Sequence, residues 1–139
     1  MTMRVLRVLH PLALPFTPDV RPLYDLLEVV LLPSRSEGLS QSLLEAMALG
    51  KPVVASASAG NLDPVTHGAD GLLVPPLDPG AWAAALDRVL EDSVLARGLG
   101  DGVRRTARER FSRRCTLERT LDLYRTILGA PLARPAHPG

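Results

Sequence analysis

Apolar and polar positions along the chain change their period in a regular order. Unbroken apolar runs at 29–32 and 52–55 are typical of short strands buried on both faces, and a third strand is predicted at 71–74. Between and after these runs, apolar residues recur at helical spacing. Because predicted strands and helices alternate, the pattern predicts an α/β domain with a parallel sheet and flanking helices.

Capping residues and apolar spacing locate the helices. Asp19 is a candidate cap for the first helix, which is expected to include Leu26 and Leu27, and Asp78 before Pro79 is a second cap signal. Gly50 is placed to end the helix that begins near Ser40. The helices predicted after the first cover 40–49, about 62–67, 79 onward, 93–111 and about 116–128.

Two of these helices carry further expectations. In the long helix, Gly98, Gly100 and Gly102 are each expected to cost up to ~1 kcal/mol relative to alanine. The last helix is expected to face inward through four residues at helical spacing, which are Leu117, Leu121, Tyr124 and Leu128.

The two ends of the chain carry weaker patterns. Residues 4–9 could form a short edge strand or a poorly ordered start, so 1–18 is predicted to be an irregular N-terminal segment. Residues 129–139 are predicted to be a disordered tail. The domain is therefore expected over residues 19–128.

Charge and composition narrow the class of partner. Lys and Arg number 16 and Asp and Glu 15, so the formal net charge of +1 gives no basic field for nucleic acid. Aromatic residues make up 4%, too few for base-stacking platforms, and no run reaches the ~18 apolar residues that span a bilayer. A single cysteine excludes an internal disulfide, and the histidines lack ligand spacing. A cytoplasmic chain without bound metal or nucleic acid is expected.

A basic cluster of six arginines lies between 104 and 114. A solvated helix face is the simpler interpretation, and contact with an anionic membrane surface is an alternative with weaker support. Cys115 follows this cluster, which could lower the pKa of its thiol, but an inert structural thiol is the favoured interpretation.

Two polar loops, 34–40 and 56–61, follow the first two predicted strands. Their small residues let backbone amides approach a ligand, and ligands of open parallel sheets bind beyond the carboxyl ends of the strands. Each loop leads into a helix N-terminus, which favours an anion such as phosphate. The loops are therefore a candidate anion site, although many α/β domains have such loops and bind nothing there.

Two carboxylates, Glu37 in the first loop and Glu45 on the following helix, form a sharper candidate. Glu45 could accept two hydrogen bonds from vicinal hydroxyls such as those of a ribose, and Glu37 could contact a second polyhydroxylated group. This arrangement would suit a nucleoside diphosphate sugar. Spacing alone favours structural roles: Ser42 and Glu45 match a capping box, and Glu37 precedes a helix N-terminus.

The motifs in order resemble those of retaining glycosyltransferases of the GT-B type. Residues 30–39 read VLLPSRSEGL and residues 44–56 read LEAMALGKPVVAS. The resemblance is to the family-4 group, the glycosyl transferases group 1, whose hallmark is E-x7-E flanked by P-S-x-x-E-G and L-E-A-M-A-x-G-x-P-V-V-A. It covers about residues 19–128 and implies a Rossmann-like sheet that is part of a C-terminal donor-binding domain.

The resemblance also implies roles for residues. The complete enzyme would transfer a hexosyl group from a nucleotide-sugar donor to an unknown acceptor, with retention and without bound metal. Glu37 would be the catalytic residue, stabilising charge at the oxocarbenium-like transition state, and Glu45 would hold the ribose hydroxyls. The other implied donor-binding positions are Gly38, Leu39, Ser40 and Gln41, the last three through their backbone amides.

The chain also departs from the family pattern. Ser40 stands where glycine is usual, and nothing before Asp19 resembles the family's G-R motif, its basic residue or its acceptor domain. The chain is therefore expected to be inactive alone and completed by an N-terminal half or a partner chain. The alternatives are a non-catalytic nucleotide-binding or interaction module, a truncated relic, or a half-domain that barely folds because of an exposed sheet edge.

Overall fold

The computed structural model of the protein describes residues 17–36 and 38–129. Within these ranges the strands are β1 (Val30–Leu32), β2 (Val53–Ser56) and β3 (Leu72–Val74), and the helices are α1 (Arg21–Asp25), α2 (Gln41–Leu49), α3 (Ala59–Leu62), α4 (Pro79–Glu91), α5 (Ser93–Arg110) and α6 (Arg113–Leu128). The segment 4–9, Glu37 and the predicted tail from 130 onward lie outside the described residues.

The three strands form one parallel sheet in the order β1-β2-β3. Val30 pairs with Val53, and Val54 pairs with Leu72. β2 lies in the centre and every residue of it is buried, as its apolar run predicts. The prediction that β1 is buried on both faces is wrong, because β1 pairs on one side only within the described chain and leaves Leu31 42% exposed.

Helices cover both faces of the sheet. Alternate residues of a strand point to opposite faces, so Val53 and Val54 join two different clusters of buried side chains. The first cluster includes residues of α1, α2 and the C-terminal half of α5, and the second includes β3, α4 and Leu99 of α5. Full burial of a side chain such as Leu43 or Leu99 stabilises the fold by about 1.5–3 kcal/mol. The α/β arrangement predicted from the alternating pattern is confirmed.

Helix ends follow the sequence signals in most places. The Oγ of Ser40 accepts a hydrogen bond from the Leu43 amide, and Gly50 ends α2 with a φ of 68°. Asp78 caps α4 by accepting from the Ala81 amide at 2.9 Å. These three predicted helix boundaries are confirmed because they depend on atoms within four residues of the end.

The first helix differs from its prediction. Its N-cap is Val20, whereas the carboxylate of Asp19 accepts from the main chain and the guanidinium of Arg21. α1 ends at Asp25, so Leu26 lies outside the helix and is 82% exposed. The helix predicted at about 62–67 is wrong, because the short helix α3 covers Ala59–Leu62 and ends where the predicted one begins.

The last helix lacks the buried face that its spacing predicts. α6 contains no buried residue, and Leu117, Tyr124 and Leu128 are each about half exposed. α6 packs along α5. Gly129 adopts a left-handed conformation with a φ of 62° and closes the helix.

Two glycines of α5 explain how closely that helix approaches the loops. A Cβ at Gly100 would lie 2.6 Å from the carbonyl oxygen of Gly50, and a Cβ at Gly102 would lie still closer to the carbonyl oxygen of Ala69. A Cβ at Gly98 would meet nothing within 4 Å. The glycines that weaken the isolated helix therefore have different roles, and two of them allow close packing.

Candidate functional site

The candidate site lies beyond the carboxyl ends of β1 and β2. The loop after β1 leads directly into α2, and four of the predicted ligand-binding positions occupy this junction: Gly38 and Leu39 in the loop, Ser40 at the N-cap and Gln41 in the first turn. Gly38, Leu39 and Gln41 are exposed, and Ser40 is half-buried. The first amides of an α-helix have no acceptor within the helix. The Ser40 hydroxyl accepts a hydrogen bond from the Leu43 amide, so the amides of Gln41 and Ser42 still lack a partner inside α2.

Glu45 lies one turn further along α2, half-buried. Its Oε2 lies 3.4 Å from the hydroxyl of Tyr24, and its Oε1 lies 3.5 Å from the Nε2 of Gln41. The capping-box alternative is wrong, because Ser40 and not Ser42 is the N-cap and the third helical residue is Leu43. The carboxylate therefore contacts the side chains of Tyr24 and Gln41 and does not close the helix end.

Tyr24 is a site neighbour that the sequence reasoning missed. Tyr24 belongs to the core and is 8% exposed, while its hydroxyl, which has one proton to donate, lies 3.1 Å from the carbonyl oxygen of Ser42 and 3.4 Å from the Oε2 of Glu45. Burial raises the pKa of the Tyr24 hydroxyl, and the adjacent Glu45 carboxylate raises it further. The signal available in the sequence was the residue type itself, since a buried tyrosine hydroxyl requires a polar partner.

The second loop is tied to the first by buried hydroxyl and amide groups. The Oγ of Ser56 donates to the carbonyl oxygen of Ser34 at 2.5 Å, and the Nδ2 of Asn61 donates to the Ser56 carbonyl at 2.9 Å. Ser58 completes the cluster through contacts with both side chains. The Oδ1 of Asn61 is buried without a hydrogen-bond partner in the described structure, which leaves one polar acceptor beside the joined loops.

Other charged or ligating residues have structural partners away from this site. The Nζ of Lys51 donates to the carbonyl oxygens of Asp25 and Leu27, and the Nδ1 of His67 accepts from the Leu73 amide. No three His, Cys, Asp or Glu side chains come together as metal ligands would in the part of the chain described.

Two arginines of the basic cluster form hydrogen bonds within the fold. Arg104 donates to the carbonyl oxygen of Leu49, and Arg110 contacts both the carbonyl and the carboxylate of Asp63.

Within residues 17–36 and 38–129, no helix has the length and apolar character to cross a bilayer.

A parallel sheet with helices on both faces and polar loops beyond its carboxyl ends is a Rossmann-like arrangement. Sucrose-phosphate synthase from Thermosynechococcus elongatus superposes with a TM-score of 0.73 at 36% identity, over 81% of this chain and 28% of that one. Alr3699/HepE from Anabaena, solved in complex with UDP-glucose, superposes with a TM-score of 0.73 at 25% identity, over 84% of this chain and 32% of that one.

The sequence agrees with this structural class. The model of the family described as glycosyl transferases group 1 matches residues 8–92, and the chain belongs to that family. A D-inositol 3-phosphate glycosyltransferase from Corynebacterium urealyticum is 36% identical over 118 residues, which cover 84% of this chain and 28% of the relative. The chain thus spans about a quarter to a third of the length of the relatives it matches. The family resemblance and the fold predicted from it are confirmed.

Proposed function

We propose that this chain supplies nucleotide-sugar-binding residues to a retaining glycosyltransferase that transfers a hexosyl group. The observation that carries the proposal is the Glu45 carboxylate, held between Tyr24 and Gln41 one turn inside the amide end of α2. The complex of Alr3699/HepE with UDP-glucose supports a nucleotide-sugar as the class of ligand. UDP is therefore the first nucleotide to test.

The two parts of the site fit the two ends of a nucleoside diphosphate. A carboxylate that accepts hydrogen bonds suits the vicinal hydroxyls of a ribose. The first amides of α2, with the positive end of the helix dipole, suit a diphosphate. The backbone at Leu39, Ser40 and Gln41 is where we place the diphosphate and sugar contacts, with Gly38 allowing close approach.

The remaining roles follow from the family resemblance. We assign to Glu37 the stabilisation of positive charge that develops on the donor sugar, in a transfer that needs no metal. The acceptor and the positive charge that neutralises the leaving diphosphate would come from an N-terminal half or a partner chain. The cytoplasmic location expected from the sequence is part of the same proposal.

An amide-resolved NMR titration of the chain with UDP, GDP and ADP tests the proposal. We expect shifts at Gly38 to Glu45 with one of the three. Glu45→Gln should weaken that binding about ten-fold or more, because hydrogen bonds to charged groups contribute about 1.5–3 kcal/mol. Glu109→Gln, at an exposed position of α5, is the matched control and should leave the affinity unchanged.

Two outcomes would contradict the proposal. A well-dispersed spectrum that responds to none of the three nucleotides would instead support a non-catalytic interaction module. Equal losses in Glu45→Gln and Glu109→Gln would show that the binding surface does not include Glu45.

A further inference from the structure

The hydroxyl of Tyr24 lies between two acceptors on α2. It is 3.1 Å from the carbonyl oxygen of Ser42 and 3.4 Å from the Oε2 of Glu45. The ring that carries it is packed in the core against the residues of α2. Tyr24 is therefore a rigid support, because its ring cannot move without disturbing buried side chains.

The Glu45 carboxylate is contacted on both of its oxygens. Tyr24 faces Oε2, and the side-chain amide of Gln41 faces Oε1 at 3.5 Å. Both distances are longer than those of a typical hydrogen bond, so the contacts are weak, and the Gln41 side chain is exposed. The core-anchored hydroxyl is therefore the stiffer of the two restraints on the carboxylate.

The Glu45 carboxylate also retains hydrogen-bonding capacity for a ligand. An ionised carboxylate can accept about four hydrogen bonds. With one contact on each oxygen, Glu45 retains acceptor sites for a pair of neighbouring hydroxyls. A pair of bonds to a vicinal diol requires both oxygens in a definite orientation, whereas a single bond to one hydroxyl tolerates rotation of the carboxylate.

We propose that Tyr24 is a positioning residue that orients the Glu45 carboxylate and thereby gives the site its preference for ribonucleotides over 2′-deoxyribonucleotides. The inference rests on the proposed function, since it assumes that Glu45 binds the ribose. It assigns to the hydroxyl a role that the core packing of the ring does not require, because phenylalanine would fill the same space.

Tyr24→Phe removes the hydroxyl and keeps the ring. The experiment measures Kd for the nucleoside diphosphate that binds best among UDP, GDP and ADP, and for its 2′-deoxy counterpart, on the full chain. In the wild type we expect the ribonucleotide to bind about ten-fold or more tightly than the deoxynucleotide. In Tyr24→Phe the ribonucleotide should weaken about 2- to 12-fold, with a much smaller effect on the deoxynucleotide, so that the ratio of the two Kd values falls.

Tyr124→Phe is the matched control, because Tyr124 is 52% exposed on α6. It should change neither Kd. Equal weakening of both nucleotides by Tyr24→Phe, or no change in their ratio, would overturn the positioning role while leaving the proposed function intact. A wild-type chain that binds no nucleotide would remove the proposed function, and this inference with it.

Discussion

Replacement of Gly100 by alanine is predicted to destabilise the protein, although helix propensity alone predicts the opposite. Alanine is favoured over glycine by about 1 kcal/mol inside a helix. In the folded protein, however, the new Cβ would lie 2.6 Å from the carbonyl oxygen of Gly50 and 3.8 Å from the Cδ of Pro52. The first neighbour is a backbone atom, which cannot rotate away as a flexible side chain would.

The magnitude follows from two opposing terms. Overpacking of a well-packed contact costs about 1–3 kcal/mol, and the gain in helix propensity offsets about 1 kcal/mol of this. We therefore expect Gly100→Ala to lower the free energy of unfolding by up to about 2 kcal/mol. Gly102→Ala should cost more, since its Cβ would lie even closer to the backbone oxygen of Ala69.

Gly98→Ala is the matched control in the same helix. Its Cβ would meet nothing within 4 Å, so the substitution should raise the free energy of unfolding by about 0.4–1 kcal/mol. Urea unfolding followed by far-UV circular dichroism measures both, and the fluorescence of Trp82, the single tryptophan, gives an independent probe. If Gly100→Ala stabilised the protein as much as Gly98→Ala does, the close approach of α5 to the Gly50 turn would be refuted.

Two further predictions concern charged groups at helix ends. Asp78→Ala should lower the free energy of unfolding by about 1 kcal/mol, because it leaves the Ala81 amide without its cap. Thermal unfolding measures the loss. An unchanged melting temperature would show that the cap contributes nothing to stability. The hydrogen bonds that Arg21 donates from its side chain and backbone lower the pKa of Asp19 from 3.8 to about 2. The stabilisation is therefore fully present above pH 3.8 and is lost as the pH falls towards 2. Carboxyl NMR titration reads the pKa of Asp19 directly. In Arg21→Ala this pKa should rise only part of the way to the ordinary aspartate value, because the side-chain hydrogen bonds are lost while the backbone amide still donates to the carboxylate. A titration midpoint that does not change from the wild type would contradict the pairing with the guanidinium.

Much of the fold was predictable because its signals are local. The buried run of β2, the cap at Asp78 and the left-handed Gly50 each depend on residues within a few positions. The glycosyltransferase motifs alone also predict that Gly38 to Glu45 lie at one loop and the helix that follows it. Features that depend only on interactions between neighbouring residues can be predicted from the sequence.

Exposure was less predictable than element type. Leu31 and Tyr124 follow apolar patterns that predict burial, yet both are substantially exposed in the described chain. An apolar pattern predicts which face of a strand or helix is apolar. Whether another element covers that face depends on the remainder of the fold, so neighbouring residues in the sequence do not determine it.

The sequence by itself determined the class of fold, the family and the positions of Glu37 and Glu45 relative to a predicted helix start. Only the tertiary structure decided which groups meet across long separations in the chain: Tyr24 with Glu45, and Gly100 with Gly50. The physical reason is that a capping bond or an apolar period acts over a few residues, whereas a contact between distant residues depends on the packing of whole elements. Tyr24 therefore appears in the sequence as an ordinary core aromatic, and its hydroxyl becomes relevant only when α1 packs against α2.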